Sequence, residues 1–222
     1  MATRSTTSSP AYRPMHGIRL SRPERKAVRR QQLLDAAREV FSSKGYTATR
    51  IEDITQASGL AKGTFYLYFE EKCDAFAALA DDLLTAVENA LEDSRALHAK
   101  PEPNPAKACK ILEDEIAAVL AIYHENRAIA TILLHEARLQ EAALESRLTA
   151  YYARVVRHFS AGLETMRKAG VARSLDAKVA AQCIVGTMER AVQTCLPRRA
   201  GSSEIRRLAR EIAQLECRGV FR

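Results

Sequence analysis

Residues 49–72 read TRIEDITQASGLAKGTFYLYFEEK. The opening Thr49-Arg50-Ile51-Glu52 has the form of a capping box, in which a Thr hydroxyl accepts from an orphan backbone N–H and a Glu three residues on reaches back to the cap. A short helix bearing Ile51 and Ile54 follows and breaks at Gly59, since Gly takes the left-handed backbone that ends helices without steric cost. A second short helix is expected from about Ala61 to Phe69. Two short helices joined at a Gly, the second rich in small, polar and aromatic residues, match the helix-turn-helix plan, whose second helix enters the major groove of DNA. Ile54, Leu60 and Phe65 fall where that plan needs apolar groups to hold the helices together. Thr55 departs from it, because the position usually carries Ala.

Working outward, Ser21-Arg22-Pro23-Glu24 is a second capping box with Pro tolerated in the first turn. The helix it opens presents Leu33, Leu34, Ala37, Val40 and Phe41 on one face and stops at Gly45. Downstream, Lys72 begins a longer helix with Phe76, Leu79, Leu83, Val87 and Leu91 inward, up to a proline-rich loop at His98–Pro105. Further helices are expected at about 106–123, 127–138, 141–169, 176–196 and 203–217. No run alternates with a two-residue period, so the fold class is all-α. The organisation is a disordered basic arm at 1–22, a helix-turn-helix DNA-binding domain at 23–70, and a larger helical ligand-binding and dimerisation domain at 71–222.

Charge divides along the same line. Residues 1–50 hold eleven Lys/Arg against three Asp/Glu, whereas the other 172 hold 23 against 24, so the net +7 comes entirely from the N-terminal end. A basic segment of that kind suits a polyanion, and a solubilising tail is the plain alternative. The first 22 residues share their Arg- and Ser-rich, acid-free composition with organellar transit peptides, and the basic-arm reading is preferred. Apolar runs such as Ala117–Tyr123 fall far short of the roughly 20 residues that span a bilayer. No contact with a membrane is expected. Cys73, Cys109, Cys183, Cys195 and Cys217 are odd in number and never in ligand spacing, which predicts free thiols in a reducing, cytoplasmic compartment.

The run Thr49, Ile54, Gly59, Leu60, Lys62, Gly63, Thr64, Tyr66, Tyr68, Phe69, Lys72 resembles the DNA-binding domain of the tetracycline-repressor (TetR-like) family, over about residues 25–80. The resemblance implies an N-terminal three-helix DNA-binding domain, a homodimer on double-stranded operator DNA, and a small-molecule effector that separates the two recognition helices. Physical roles follow residue by residue. Thr49, at a helix start, and Lys72, at the next, are phosphate contacts, as is the Tyr68 phenol. Lys62 and Thr64 reach base edges, and Gly63 permits close backbone approach. Tyr66 contacts DNA or joins the core; Arg50 is a phosphate contact or a solvated side chain.

The C-terminal half is less specific. Tyr123, Leu133, Tyr152, Val155 and Phe159 are candidates to line an apolar ligand cavity, against the reading of plain core. His124, His135 and Glu136 are weighed as a metal site and set aside, and no cofactor is expected. The helix from 141 carries Leu144, Leu148, Tyr151, Tyr152, Val155, Phe159, Leu163 and Met166, more than one buried stripe needs, and the next carries small residues such as Gly186. Both are expected to bury a face against a second copy. No G-x-S-x-G, P-loop, dinucleotide fingerprint or H-E-x-x-H occurs in the chain, so it is not read as an enzyme. The alternatives are an all-α enzyme on a small apolar substrate and a DNA-binding structural protein without sequence preference.

Overall fold

The computed structural model describes residues 21–98, 102, 104–135 and 142–220. Residues 1–20 of the expected basic arm and Glu136 lie outside the described residues. Among the described residues every regular element is a helix: α1 Arg22–Lys44, α2 Ile51–Ser58, α3 Lys62–Phe65, α4 Lys72–Leu97, α5 Pro105–Glu125, α6 Arg127–His135, α7 Ala142–Lys168, α8 Ala177–Thr194 and α9 Ser202–Val220.

The caps explain most boundaries. Ser21 Oγ accepts from the Glu24 N–H at 3.4 Å and Glu24 Oε2 accepts from the Ser21 N–H at 2.6 Å, so the capping box forms and the helix begins inside the span assigned to the arm. α1 ends at Gly45, whose positive φ of 77° comes with an extended ψ of 171° rather than the left-handed helical basin. Asn104 caps α5, accepting from the Ala106 and Lys107 N–H groups, and Asp176 caps α8 in the same way. The α8 C-terminus is closed from a distance, because the Arg127 guanidinium donates to the carbonyls of Gln193, Leu196 and Pro197.

α1 buries Leu33, Leu34, Ala37, Val40 and Phe41, the face its periodicity assigned. Phe41, Tyr46 and Phe76 form an aromatic cluster with centroids 5.2–5.8 Å apart, which seats α4 against α1. Beyond α4, α5 packs along α9 and α7 along α8, and α5 also meets α4. Arg38 of α1 donates to Asn126 Oδ1 at 2.5 Å, tying the first helix to the corner between α5 and α6.

The expectation of five free thiols needs correction. Cys109 and Cys217 are disulfide-bonded, joining α5 to α9 with Cα atoms 5.9 Å apart, whereas Cys73, Cys183 and Cys195 take part in no disulfide. Sequence spacing carries no information about a bridge between residues 108 positions apart. Six of the eight large apolar residues of α7 are taken up inside the chain. Leu144, Leu148, Tyr151, Val155, Phe159 and Leu163 recur at three- and four-residue steps, form one stripe and are all buried. Tyr152, Val156 and Met166 lie beside that stripe and are half-buried. No single helix among the described residues is long and apolar enough to cross a membrane.

Candidate nucleic-acid interface and internal cavity

α2 and α3 are held by side chains that face inward. Ile54 and Phe65 are fully buried, and Leu60 packs against the same core. Gly59 takes the left-handed conformation at φ 68°, ψ 15°, as the turn requires. The Leu60 N–H beyond it donates to the Thr55 carbonyl at 3.2 Å. Thr55 is buried, and its hydroxyl donates to the Glu52 carbonyl at 3.1 Å, so the hydroxyl that departs from the usual Ala is satisfied locally. Gln32 of α1 donates to the Ser58 carbonyl at 2.8 Å and fixes the turn from outside.

The cap of α2 differs from expectation by one residue. Arg50 is the N-cap, its N–H donating to Asp53 Oδ2 at 3.0 Å, and Lys44 pairs with the same carboxylate at 2.7 Å. Thr49 is 2% exposed and its hydroxyl donates backward to the Gly45 carbonyl at 2.6 Å. The Thr49 side chain therefore braces the end of α1, and its proton is not directed at a phosphate. Arg50 lies on the surface.

α3 is a single turn, shorter than the span expected to Phe69. Phe65 and Phe69 are both drawn inside, with centroids 5.4 Å apart. Between them the backbone tightens to three-residue bonds, Leu67 N–H to Thr64 O at 3.2 Å and Tyr68 N–H to Phe65 O at 2.9 Å. The remaining side chains point outward. Lys62 and Gly63 are exposed and Thr64 is half-buried. Tyr66 is 50% exposed, which removes the core reading, and Tyr68 is half-buried.

Lys62 is engaged sideways: its Nζ lies 2.5 Å from Glu52 Oε1 of α2. The hydrogen bond from Lys62 holds the Glu52 carboxyl below its ordinary range, and Glu52 holds the Lys62 ammonium above its own. Lys72 is engaged more fully. Its Nζ donates to the carbonyls of Tyr46 at 2.8 Å, Thr49 at 3.0 Å and Thr47 at 3.3 Å, and sits 4.6 Å from the Tyr46 ring centroid. All three N–H bonds of the ammonium are taken. In the protein without DNA these bonds clamp the α1–α2 connection.

The structure adds residues that the sequence reading did not single out. Arg22, Lys26 and Arg29 are exposed and, at steps of four and three, share one face of α1. Their signal was present in the basic excess of residues 1–50.

A cavity of about 420 Å³ lies between α4, α5, α7 and α8, lined by Arg95, Leu112, Glu115, His158, Phe159 and Ile184 among others. Of the five candidate ligand residues, Phe159 lines it and Val155 borders a neighbouring cleft between α4 and α7. Tyr123, Leu133 and Tyr152 line neither. Tyr123 and Tyr151 are buried with their hydroxyls 2.8 Å apart, and burial pushes both phenols above their ordinary pKa. Leu133 is core, and the Tyr152 hydroxyl donates to Glu189. Arg95, Glu115 and His158 come from three separate helices, so no sequence spacing marks them. His124 Nδ1 is buried without a partner among the described residues.

Residues 33–79 match bacterial regulatory proteins of the tetR family. Over 63 residues the chain is 43% identical to the uncharacterized HTH-type transcriptional regulator YvdT of Bacillus subtilis, a match covering 28% of this chain and about a third (32%) of that protein. The TetR-family regulator PfmR of Thermus thermophilus has the same fold at a TM-score of 0.71 and 22% identity, over 84% of this chain and 97% of that one. The transcriptional regulator FadR of Bacillus subtilis, solved in complex with stearoyl-CoA, superposes at a TM-score of 0.68 and 23% identity, over 85% of this chain and 98% of that one. The described geometry and the matched segment coincide on α1 to α4, and residues 33–79 carry the segment by which bacterial regulatory proteins of the tetR family are recognised.

Proposed function

We propose that this regulator is a cytoplasmic, homodimeric repressor without enzymatic activity, released from its operator when a small molecule fills the cavity between α4, α5, α7 and α8. One observation carries the reading. Helix α4 begins at Lys72, which grips the α1–α2 connection, and reaches the cavity at Arg95. At 1.5 Å per residue, about 35 Å of continuous helix joins the two sites. A ligand that shifts the far end of α4 moves the recognition elements as a body, and the Arg38–Asn126 bond couples the same domain to α5 and α6. The ligand must prefer the released state, because equal affinity for both states shifts nothing.

In this reading Lys62, Gly63 and Thr64 meet base edges. Tyr66, Tyr68 and Arg50 meet the backbone together with Arg22, Lys26 and Arg29, while Thr49 and Lys72 keep the domain in shape. The dimer forms through α8 and α9 rather than α7. Val179, Cys183, Gly186 and Arg190 make one exposed, largely small stripe on α8, and Leu215 of α9 is 68% exposed. Sedimentation should then give twice the 24.6 kDa chain mass.

The domain reading keeps residues 23–70 as the DNA-binding unit, with Ser21 and Arg22 added, and 71–222 as the effector and dimer unit. FadR, solved with stearoyl-CoA, supports an effector with a large apolar part. The test is a thermal-shift screen of apolar small molecules followed by operator binding. Compounds that raise the melting temperature should weaken operator binding, and Gly162→Trp, which obstructs the cavity mouth, should abolish both effects. Compounds that stabilise the fold while operator affinity stays constant would contradict the coupling.

A further inference from the structure

We infer that the cavity selects a neutral ligand with an apolar body and one hydroxyl group, the hydroxyl donating to Glu115. This rests on the reading of the cavity as the effector site. Leu112, Phe159, Leu163, Met166 and Ile184 give the walls their apolar character. Into them project Glu115 and His158, whose side chains are only 12% and 14% exposed. Glu115 Oε1 accepts from Ser94 Oγ at 2.7 Å and lies 3.3 Å from His158 Nε2. Glu115 Oε2 has no partner among the described residues. A carboxylate oxygen accepts hydrogen bonds, and Oε2, which is not among the sealed polar atoms that lack a partner, is open to a donor that a ligand brings.

Charge narrows the class further. Arg95, which has no partner among the described residues, lines the same cavity, so its cation and the Glu115 anion balance. An acid head would meet the Glu115 carboxylate, and an ammonium head would meet Arg95. A hydroxyl supplies the donor without adding a net charge to be desolvated. The volume of about 420 Å³ lies in the range of small-molecule sites and accommodates a compact, two-ring body.

The test uses the full-length protein and matched probes: 4-cyclohexylphenol, its methyl ether, 4-cyclohexylbenzoate and 4-cyclohexylbenzylamine, titrated by calorimetry. The phenol should bind at least about tenfold more tightly than the ether, the benzoate and the amine. Glu115→Gln, which keeps the side-chain volume, should weaken the phenol about fivefold and strengthen the benzoate. A purely structural role for Glu115 would shift all four probes alike and overturn the inference. So would equal affinity of phenol and ether, a preference for the benzoate or the amine, or the absence of saturable binding by every probe. Gly162→Trp separates loss of the cavity as the effector site from loss of the hydroxyl preference alone. A Cβ at Gly162 meets no heavy atom within 4 Å, so the fold accepts the substitution at its root. Undiminished phenol binding in that variant would remove the cavity as the effector site, whereas loss of binding together with phenol–ether equivalence would remove only the hydroxyl.

Discussion

Gly63→Ala separates folding from DNA contact at a single atom. A Cβ built on Gly63 meets no heavy atom within 4 Å, and the residue is not among the glycines with positive φ. In the free protein the new methyl therefore enters open space on the outward side of α3. Replacing a helical Gly by Ala restricts the unfolded chain and stabilises by up to about 1 kcal/mol. For a chain of this size that raises the melting temperature by no more than about 2–4 °C. On DNA the balance reverses. If the backbone at Gly63 approaches the base edges, the methyl has no room, and overpacking of that kind costs about 1–3 kcal/mol per half-site. Over the two half-sites of a dimer the cost is about 2–6 kcal/mol, so the dissociation constant should rise by about 30-fold or more. Thermal unfolding and fluorescence anisotropy on a labelled operator, at one fixed salt concentration, give both numbers from the same preparation. A variant that melts at or slightly above the parent temperature and binds operator within twofold of it would refute the close approach. One that melts many degrees lower would refute the open space.

Lys72→Met should lower the melting temperature by about 2–12 °C, because part-buried carbonyls of Tyr46 and Thr49 lose their donor at about 1–3 kcal/mol; an unchanged melting temperature with a salt slope reduced by about one unit would instead mark a phosphate contact. Lys62→Ala and Thr64→Ala should change which base is tolerated at one position per half-site, with about 1–3 kcal/mol of discrimination at stake. Uniform loss across operators with single symmetric substitutions would move both residues to the backbone clamp. In alkaline spectrophotometric titration, Tyr123 and Tyr151 should stay protonated after the exposed phenols ionise near about pH 10. Their folded pKa values are raised, so their contribution to stability is present below that pH and is lost as the pH climbs toward the folded values. Ionisation of all tyrosines in one step with the fold intact would contradict their burial.

What the sequence made legible was local. The Ser21–Glu24 box, the Gly59 turn and the buried faces of α1 and α4 depend on residues three or four apart, and each is where its spacing put it. The cap of α2 slipped by one residue because Thr49 and Arg50 compete for it. Asp53, not Glu52, is the carboxylate that reaches back, while the Thr49 hydroxyl finds the Gly45 carbonyl. The roles that changed were decided by distant partners. Lys72 meets carbonyls 23 to 26 residues away, Cys109 meets Cys217 across 108, and Arg95, Glu115 and His158 meet only when three helices are packed. The stripe on α7 was visible, but whether it served the chain itself or a second copy depended on how completely α5 and α8 cover it.

The central claim is sequence-specific recognition of DNA by the surface of α3. Selection of bound duplexes from a random library by the purified full-length protein, with the Lys62→Ala, Thr64→Ala double variant in parallel, tests it most directly. The expected result is an enriched sequence with two inverted half-sites, and an altered or lost preference at defined positions of each half-site in the variant. Retention of duplexes without sequence enrichment, or identical enriched sequences from parent and variant, would contradict it.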